Sequence, residues 1–243
     1  MLKLYIPIVP ATVVAIKEYL WAELPSVKSS HRLEAIARGL GFKTYAALLQ
    51  ATQSIVPTMV KPKTAPFILF LRQHGFEVEP AHLYRTAARV AVSIVLEKTP
   101  KLSANGCGFH APQWVGDLKR YETPQERYKK FLQSRKELLS KGCLDEFLLA
   151  FAVAQKTRRT KTVRDSSYSY RLKHIAETTT YVCADGTELG PRYVSNGAFI
   201  AAALYAGFRM KTYLDHSGYD QISVCFNMPK REIGDLARAA RRN

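Results

Sequence analysis

The sequence predicts a mainly α-helical protein that ends in a smaller α+β module. Three observations predict it. Through the first two thirds, apolar residues recur at spacings of three and four, the period of a helix buried on one face. Capping and stop signals punctuate that pattern at helix-length intervals. From Tyr181 onward, turn residues and short apolar runs alternate with helical stretches, so strands enter.

The elements follow in order. Val13, Val14, Ile16, Leu20 and Leu24 predict an amphipathic helix over 11–24, closed by Pro25. Ser29 and Ser30 cap the next, which carries Leu33, Ile36, Ala37 and Leu40 on one face and stops at Gly41. A third helix covers 44–53. Beyond Pro57 and Pro62, Thr64 opens a helix that runs to His74 and ends at Gly75. Leu83, Ala87, Val90, Ala91, Ile94 and Val95 give 80–98 a core face. Residues 102–114 read as a glycine-containing loop. Thr123-Pro124-Gln125-Glu126 is a capping box with proline in the first turn. It opens a charged helix to Lys141, which Gly142 breaks, and 144–155 is apolar and buried.

The texture then changes. Five of the nine residues from Lys156 to Arg164 are basic, and Val163 is the one large apolar side chain among them. The predicted organisation is therefore a helical domain over 1–155, a basic linker or arm over 156–166, and a small α+β module over 167–243. Within that module the order is a helix (167–177), short strands about Asp185-Gly186, a helix (195–206), two strands (208–214 and 221–228) flanking His216–Asp220, and a basic helix (229–242). This order is winged-helix-like, with the hairpin as the wing. The helix in the recognition position is apolar nearly all round, however, and such a helix is buried.

Composition bounds the function. The 243 residues hold 36 Lys plus Arg against 20 Asp plus Glu, a net charge of +16. At 47% apolar residues the chain is not disordered. Cys107, Cys143, Cys183 and Cys225 are dispersed, which excludes a disulfide scaffold and gives no zinc-ligand spacing; buried thiols in a cytoplasmic protein are expected. No apolar window spans a membrane. Pro7 and Pro10 interrupt the apolar start, so no secretory signal is expected.

Residues 156–174 hold seven basic residues and one acid, Asp165. Arg158, Arg159, Lys161, Arg164, Arg171 and Lys173, with Tyr168, Arg209 and Lys211, are the candidate nucleic-acid-binding residues. Guanidinium and ammonium groups neutralise phosphates while tyrosines stack on bases or sugars. Residues 36–48 have a helix-turn-helix outline, with Ala37 four before Gly41. Their second helix carries no Lys or Arg, so packing is its expected role. Ser30-His31-Arg32-Leu33-Glu34-Ala35-Ile36-Ala37 also echoes Ser169–Ala176 at five of eight positions.

Residues 12–50, through Ser30-His31, Ala37, Gly41-Phe42, Tyr45 and Leu48-Leu49, resemble a small helical unit found beside glyoxalase-like domains. The metal-binding domain has no counterpart here, so no glyoxalase chemistry is implied. Residues 167–177, 193–208 and 225–228 resemble uncharacterised accessory proteins of plasmids, phages and integrative elements. That resemblance implies a setting and no activity.

No metal, cofactor or catalytic site is expected. The six histidines show no HExxH or HxH spacing, and no Walker A or GxGxxG motif occurs. Asp185 and Glu188 read as a polar hairpin turn, and Cys107 with His110 lacks an orienting third group. The expected function is a cytoplasmic DNA-binding accessory or regulatory protein of a mobile element, with duplex DNA as partner. Two alternatives stay open. One is a protein-interaction module that inhibits a host nucleic-acid-binding system through an acidic partner. The other is a nucleic-acid-processing enzyme. A homo-oligomer is also open.

Overall fold

A computed structural model describes residues 2–241. The chain is mainly helical, with ten α-helices among the described residues and short two-stranded sheets. It divides into two compact units. One is built on residues up to Ala91 with Val182–Glu188, the other on Val92–Tyr181 and the chain from Leu189 onward.

The first unit runs β1 (Ile6–Ile8), α1 (Pro10–Glu23), α2 (Ser29–Gly39), α3 (Tyr45–Ala51), β2 (Thr58–Val60), α4 (Thr64–Gln73) and the start of α5 (Ala81–Lys98). β1 and β2 pair antiparallel, Ile6 opposite Val60. Ile16, Leu20, Ile36 and Leu83 are buried, as the helical spacing predicts, while Val14 of the same pattern is exposed; Phe67 and Leu71 of α4 are buried as well. α2 lies close on α4: a β-carbon at Gly39 would come within 3.0 Å of Phe67 and 2.9 Å of Leu83. Gly41, at φ +88°, makes the left-handed turn into α3. The α2–α3 pair is thus a packed helix-turn-helix whose second helix buries Leu48 and exposes Gln50.

The second unit continues with β3 (Leu102–Ser103), β4 (Gly106–Cys107), β5 (Trp114–Val115), β6 (Arg120–Tyr121), α6 (Pro124–Glu137), α7 (Lys141–Ala154) and α8 (Ser169–Glu177). After β7 (Tyr181–Val182) and β8 (Glu188–Leu189), between which the chain belongs to the first unit, come α9 (Asn196–Tyr205), β9 (Met210–Lys211), β10 (Cys225–Phe226) and α10 (Lys230–Ala240). Arg242, the expected end of the last helix, lies outside the described residues.

α7 and α9 form the centre. Residues 143–144 and 147–154 of α7 and 196–203 of α9 are buried. The uniformly apolar composition of α9 therefore has the consequence expected of it, and α9 is not a groove-reading helix. Its approach to β3 is close: a β-carbon on Gly197 would lie 1.8 Å from the Ser103 carbonyl oxygen.

Several local expectations are corrected. Residues 102–114 contain the β3–β4 pair, tied by Cys107 N–H donating to the Ile222 carbonyl at 2.8 Å. The charged helix ends at Glu137, and Gly142 lies inside α7. Ser140 is the cap there, its Oγ accepting from Cys143 N–H at 3.3 Å. A glycine in a first turn costs little once a serine has capped the helix. The two long strands shrink to the β9–β10 pair plus an isolated bridge, Leu214 opposite Asp220. The capping box stands as read: Glu126 N–H donates to Thr123 Oγ1 at 3.3 Å, and Thr123 N–H to Glu126 Oε2 at 2.8 Å.

The two helices of the sequence echo, α2 and α8, fall in different units and lead into different elements, a helix after α2 and strands after α8. All four cysteines are buried free thiols. No described helix is long and apolar enough to cross a membrane.

Candidate nucleic-acid interface

The basic segment lies inside the second unit, hydrogen-bonded along β10. Thr160 N–H donates to the Asn227 carbonyl at 2.8 Å and Arg164 N–H to that of Phe226 at 3.0 Å. Phe226 N–H donates to the Ser167 carbonyl at 3.0 Å, and Ser169 N–H to that of Val224 at 2.8 Å. These bonds satisfy the edge of β10 that β9 leaves open, as a buried strand edge requires. Asn227, 3% exposed, brackets the assembly. Its Nδ2 donates to the Thr160 carbonyl at 2.7 Å, and its Oδ1 accepts from Arg209 N–H at 2.6 Å.

This scaffold brings part of the predicted set together. Arg209 Nη2 donates to the Lys161 carbonyl. Arg159 lies over Gly207, its Nη1 2.7 Å from where a β-carbon would be. Arg159, Lys161, Arg164, Arg209 and Lys211 are all exposed, and none pairs with a carboxylate among the described residues. Lys211 sits 4.9 Å over the Tyr213 ring, which hydrogen-bonds Asp165 at 2.5 Å.

The other predicted residues are placed differently. Arg158 donates its backbone N–H and its Nε to Glu232, at 2.7 and 2.6 Å, so its charge is half spent on α10. Arg171 is exposed on α8. Tyr168 bridges to Cys225 and keeps 39% of its surface. Lys173 is the clear correction. It is 4% exposed, 2.8 Å from Glu177, and between the rings of Tyr170 and Tyr193 at 5.0 and 4.8 Å. Its i, i+4 partner on α8 claims it, so it is a buried ion pair and not a phosphate contact.

Lys173 instead forms a wall of a feature that residue spacing did not reveal. A cleft of about 670 Å³ opens within this unit, with His110, Arg127, Glu146, His174, Glu177 and Asn196 in its lining. Its residues come from the β4–β5 loop, three helices and the approach to α9, so no local motif announces it; the one local signal is the His174–Glu177 spacing of three on α8. Burial alone would raise the Glu177 carboxyl. Hydrogen bonds from Lys173, His174 and the Val194 amide outweigh it and hold the group below the ordinary carboxylate range. Burial, with Glu146 and Glu137 nearby, pushes the Cys143 thiol up to about 11.

The two candidate active sites raised from sequence are occupied structurally. Cys107 is buried, and burial raises its thiol, while His110 Nδ1 faces the Ala111 carbonyl at 2.7 Å. Asp185 accepts from the Thr64 hydroxyl and from Thr187 N–H, and Glu188 is exposed. Among the described residues, no three His, Cys, Asp or Glu are placed to hold a metal ion. The chain matches no family model, no curated protein and no solved structure.

Proposed function

We propose that the protein binds nucleic acid through the arm, with duplex DNA as its ligand. One observation carries this reading: five exposed cations stand on an arm that main-chain hydrogen bonds tie to β10 and on the hairpin beside it, and none pairs with a carboxylate among the described residues. Unneutralised cations release counterions when they meet phosphates, and that release drives affinity. Phosphate contact positions a duplex without reading sequence. α9 is buried, so base readout has little to draw on beyond Arg171 and Tyr168. The resemblance to accessory proteins of plasmids and phages fits an accessory or regulatory role in a mobile element.

A mobility-shift titration against a duplex of random sequence tests the proposal. The affinity should fall steeply with salt, and Ala at Arg159, Lys161 and Arg164 together should weaken it. Binding that ignores salt would favour a protein partner. Triple-variant binding equal to the parent's would remove the arm from the interface.

A further inference from the structure

We propose that the cleft binds a small organic cation, with its amidinium or guanidinium head held by Glu146 and Glu137 and its apolar body against the aromatic walls. The site is separate from the arm, which keeps its role as the phosphate surface.

Three acids, Glu137, Glu146 and Glu177, and three cations, Arg127, Lys130 and Lys173, line the cleft. The cations are already engaged. Lys130 holds Glu122 at 2.5 Å, and Lys173 holds Glu177 at 2.8 Å. Arg127 donates Nη2 to the His110 carbonyl and lies 5.1 Å over the Tyr219 ring. The histidines are turned to acceptors too, His174 Nδ1 to Glu177 and His110 Nδ1 to the Ala111 carbonyl. Glu137 and Glu146 pair with no cation among the described residues. A chain of net charge +16 therefore carries a cleft with two carboxylates open to a ligand.

These carboxylates are placed together. Glu146 Oε2 accepts from Ser195 N–H at 2.8 Å, which fixes the group and leaves Oε1 free to accept. It also sets the protein's own anion at the start of α9, where a foreign anion would otherwise bind. Glu137 is exposed at the end of α6. Both stand about Cys143: burial first, then Glu146 and Glu137, push that thiol up to about 11. Asn196 points to the same ligand independently of charge. It lines the cleft and is 6% exposed. Its Nδ2 donates to the Ile222 carbonyl at 3.0 Å, which sets the amide and turns Oδ1 the other way, and Oδ1 has no donor. A buried acceptor without a donor is costly, and a ligand N–H supplies one.

Carboxylates and an amide oxygen only accept, so the ligand must donate. A planar amidinium or guanidinium presents parallel N–H groups to a carboxylate and carries the matching charge. The walls suit the same class. Tyr170 and Tyr193 already flank one buried ammonium, that of Lys173, at 5.0 and 4.8 Å. Phe109 and Phe131, with ring centres 4.5 Å apart, offer further ring surface. Ring faces attract cations and cover apolar stems. At about 670 Å³ the cleft has the size of a small-molecule site.

The test titrates the full chain by calorimetry with benzamidine, and with benzamide, which has nearly the same shape and no charge. Benzamidine should bind saturably, and benzamide about tenfold more weakly or worse, because hydrogen bonds to charged groups are the stronger ones. Glu146→Gln keeps an oxygen for the Ser195 amide and should weaken benzamidine about tenfold or more. Glu137→Gln, at an exposed position that folding does not depend on, is the second variant and should weaken it as well. Duplex affinity should stay at the parent's value in both, so the cleft and the arm are tested separately. The proposal is overturned by the absence of saturable benzamidine binding, by benzamide binding as tightly, or by either variant keeping the parent's affinity for benzamidine.

Discussion

Asn227→Ala separates the basic arm from the hairpin that holds it. The side chain is 3% exposed and makes two short hydrogen bonds, Nδ2 to the Thr160 carbonyl at 2.7 Å and Oδ1 from Arg209 N–H at 2.6 Å. Two such bonds, at about 0.5–1.5 kcal/mol each, contribute about 1–3 kcal/mol. The main-chain bonds survive: Thr160 N–H still reaches the Asn227 carbonyl at 2.8 Å, and Asn227 N–H that of Arg209 at 3.2 Å. The unit therefore stays folded and the arm loosens. Urea denaturation should show the loss in midpoint. Amide exchange at Thr160 and Arg164 should quicken by about 5- to 150-fold, the factor that 1–3 kcal/mol sets. Weaker duplex binding should accompany it. Unchanged exchange together with an unchanged midpoint would refute the bracket.

Three further outcomes follow from the same unit. Gly197→Ala forces a β-carbon to 1.8 Å from the Ser103 carbonyl oxygen, a main-chain atom that cannot swing aside, and should cost about 3 kcal/mol or more by thermal denaturation. Lys173→Met leaves Glu177 without its buried partner; it should cost about 3 kcal/mol in denaturant while leaving the salt dependence of DNA binding unchanged. Acid should destabilise the protein. Glu122, held low by Lys130 and the Gln113 amide, and Glu177, lowered by its donors against burial, both sit below their unfolded values. Their contribution is present above about pH 4.3 and lost as pH falls through the lower folded values, so the denaturation midpoint should drop between about pH 5 and 2. Glu122→Gln should shrink that drop.

Much of the fold was legible because its signals are local. The Thr123–Glu126 box and the glycine stop at 41 each lie within one turn of the element they bound, and α9 reads as buried from ten consecutive residues. Gly142 misled because a glycine is a weak stop when a serine two residues earlier caps the next helix. The strand lengths misled because β-like composition over 208–228 does not say which residues pair. The arm's charge was visible in sequence, but its attachment through Asn227 and β10 joins residues some 60 apart. Lys173 looked like part of the basic run until its partner four residues on and two tyrosines claimed it. The cleft was legible only in the His174–Glu177 spacing on α8: His110, Arg127, Glu146, His174 and Asn196 meet only once α6, α7, α8 and α9 have packed.

The central claim is that the exposed cations of the arm and the hairpin beside it neutralise phosphates, and the slope of log affinity against log salt measures it. Arg159, Lys161, Arg164, Arg209 and Lys211 predict a slope of about −4.5, equivalent to about a 500-fold loss of affinity between about 50 and 200 mM salt. Replacing Arg159, Lys161 and Arg164 with Ala should leave two contacts, a slope of about −1.8 and about a 12-fold loss over the same range. A parent slope near zero, or a triple variant that keeps the parent's slope, would contradict the account.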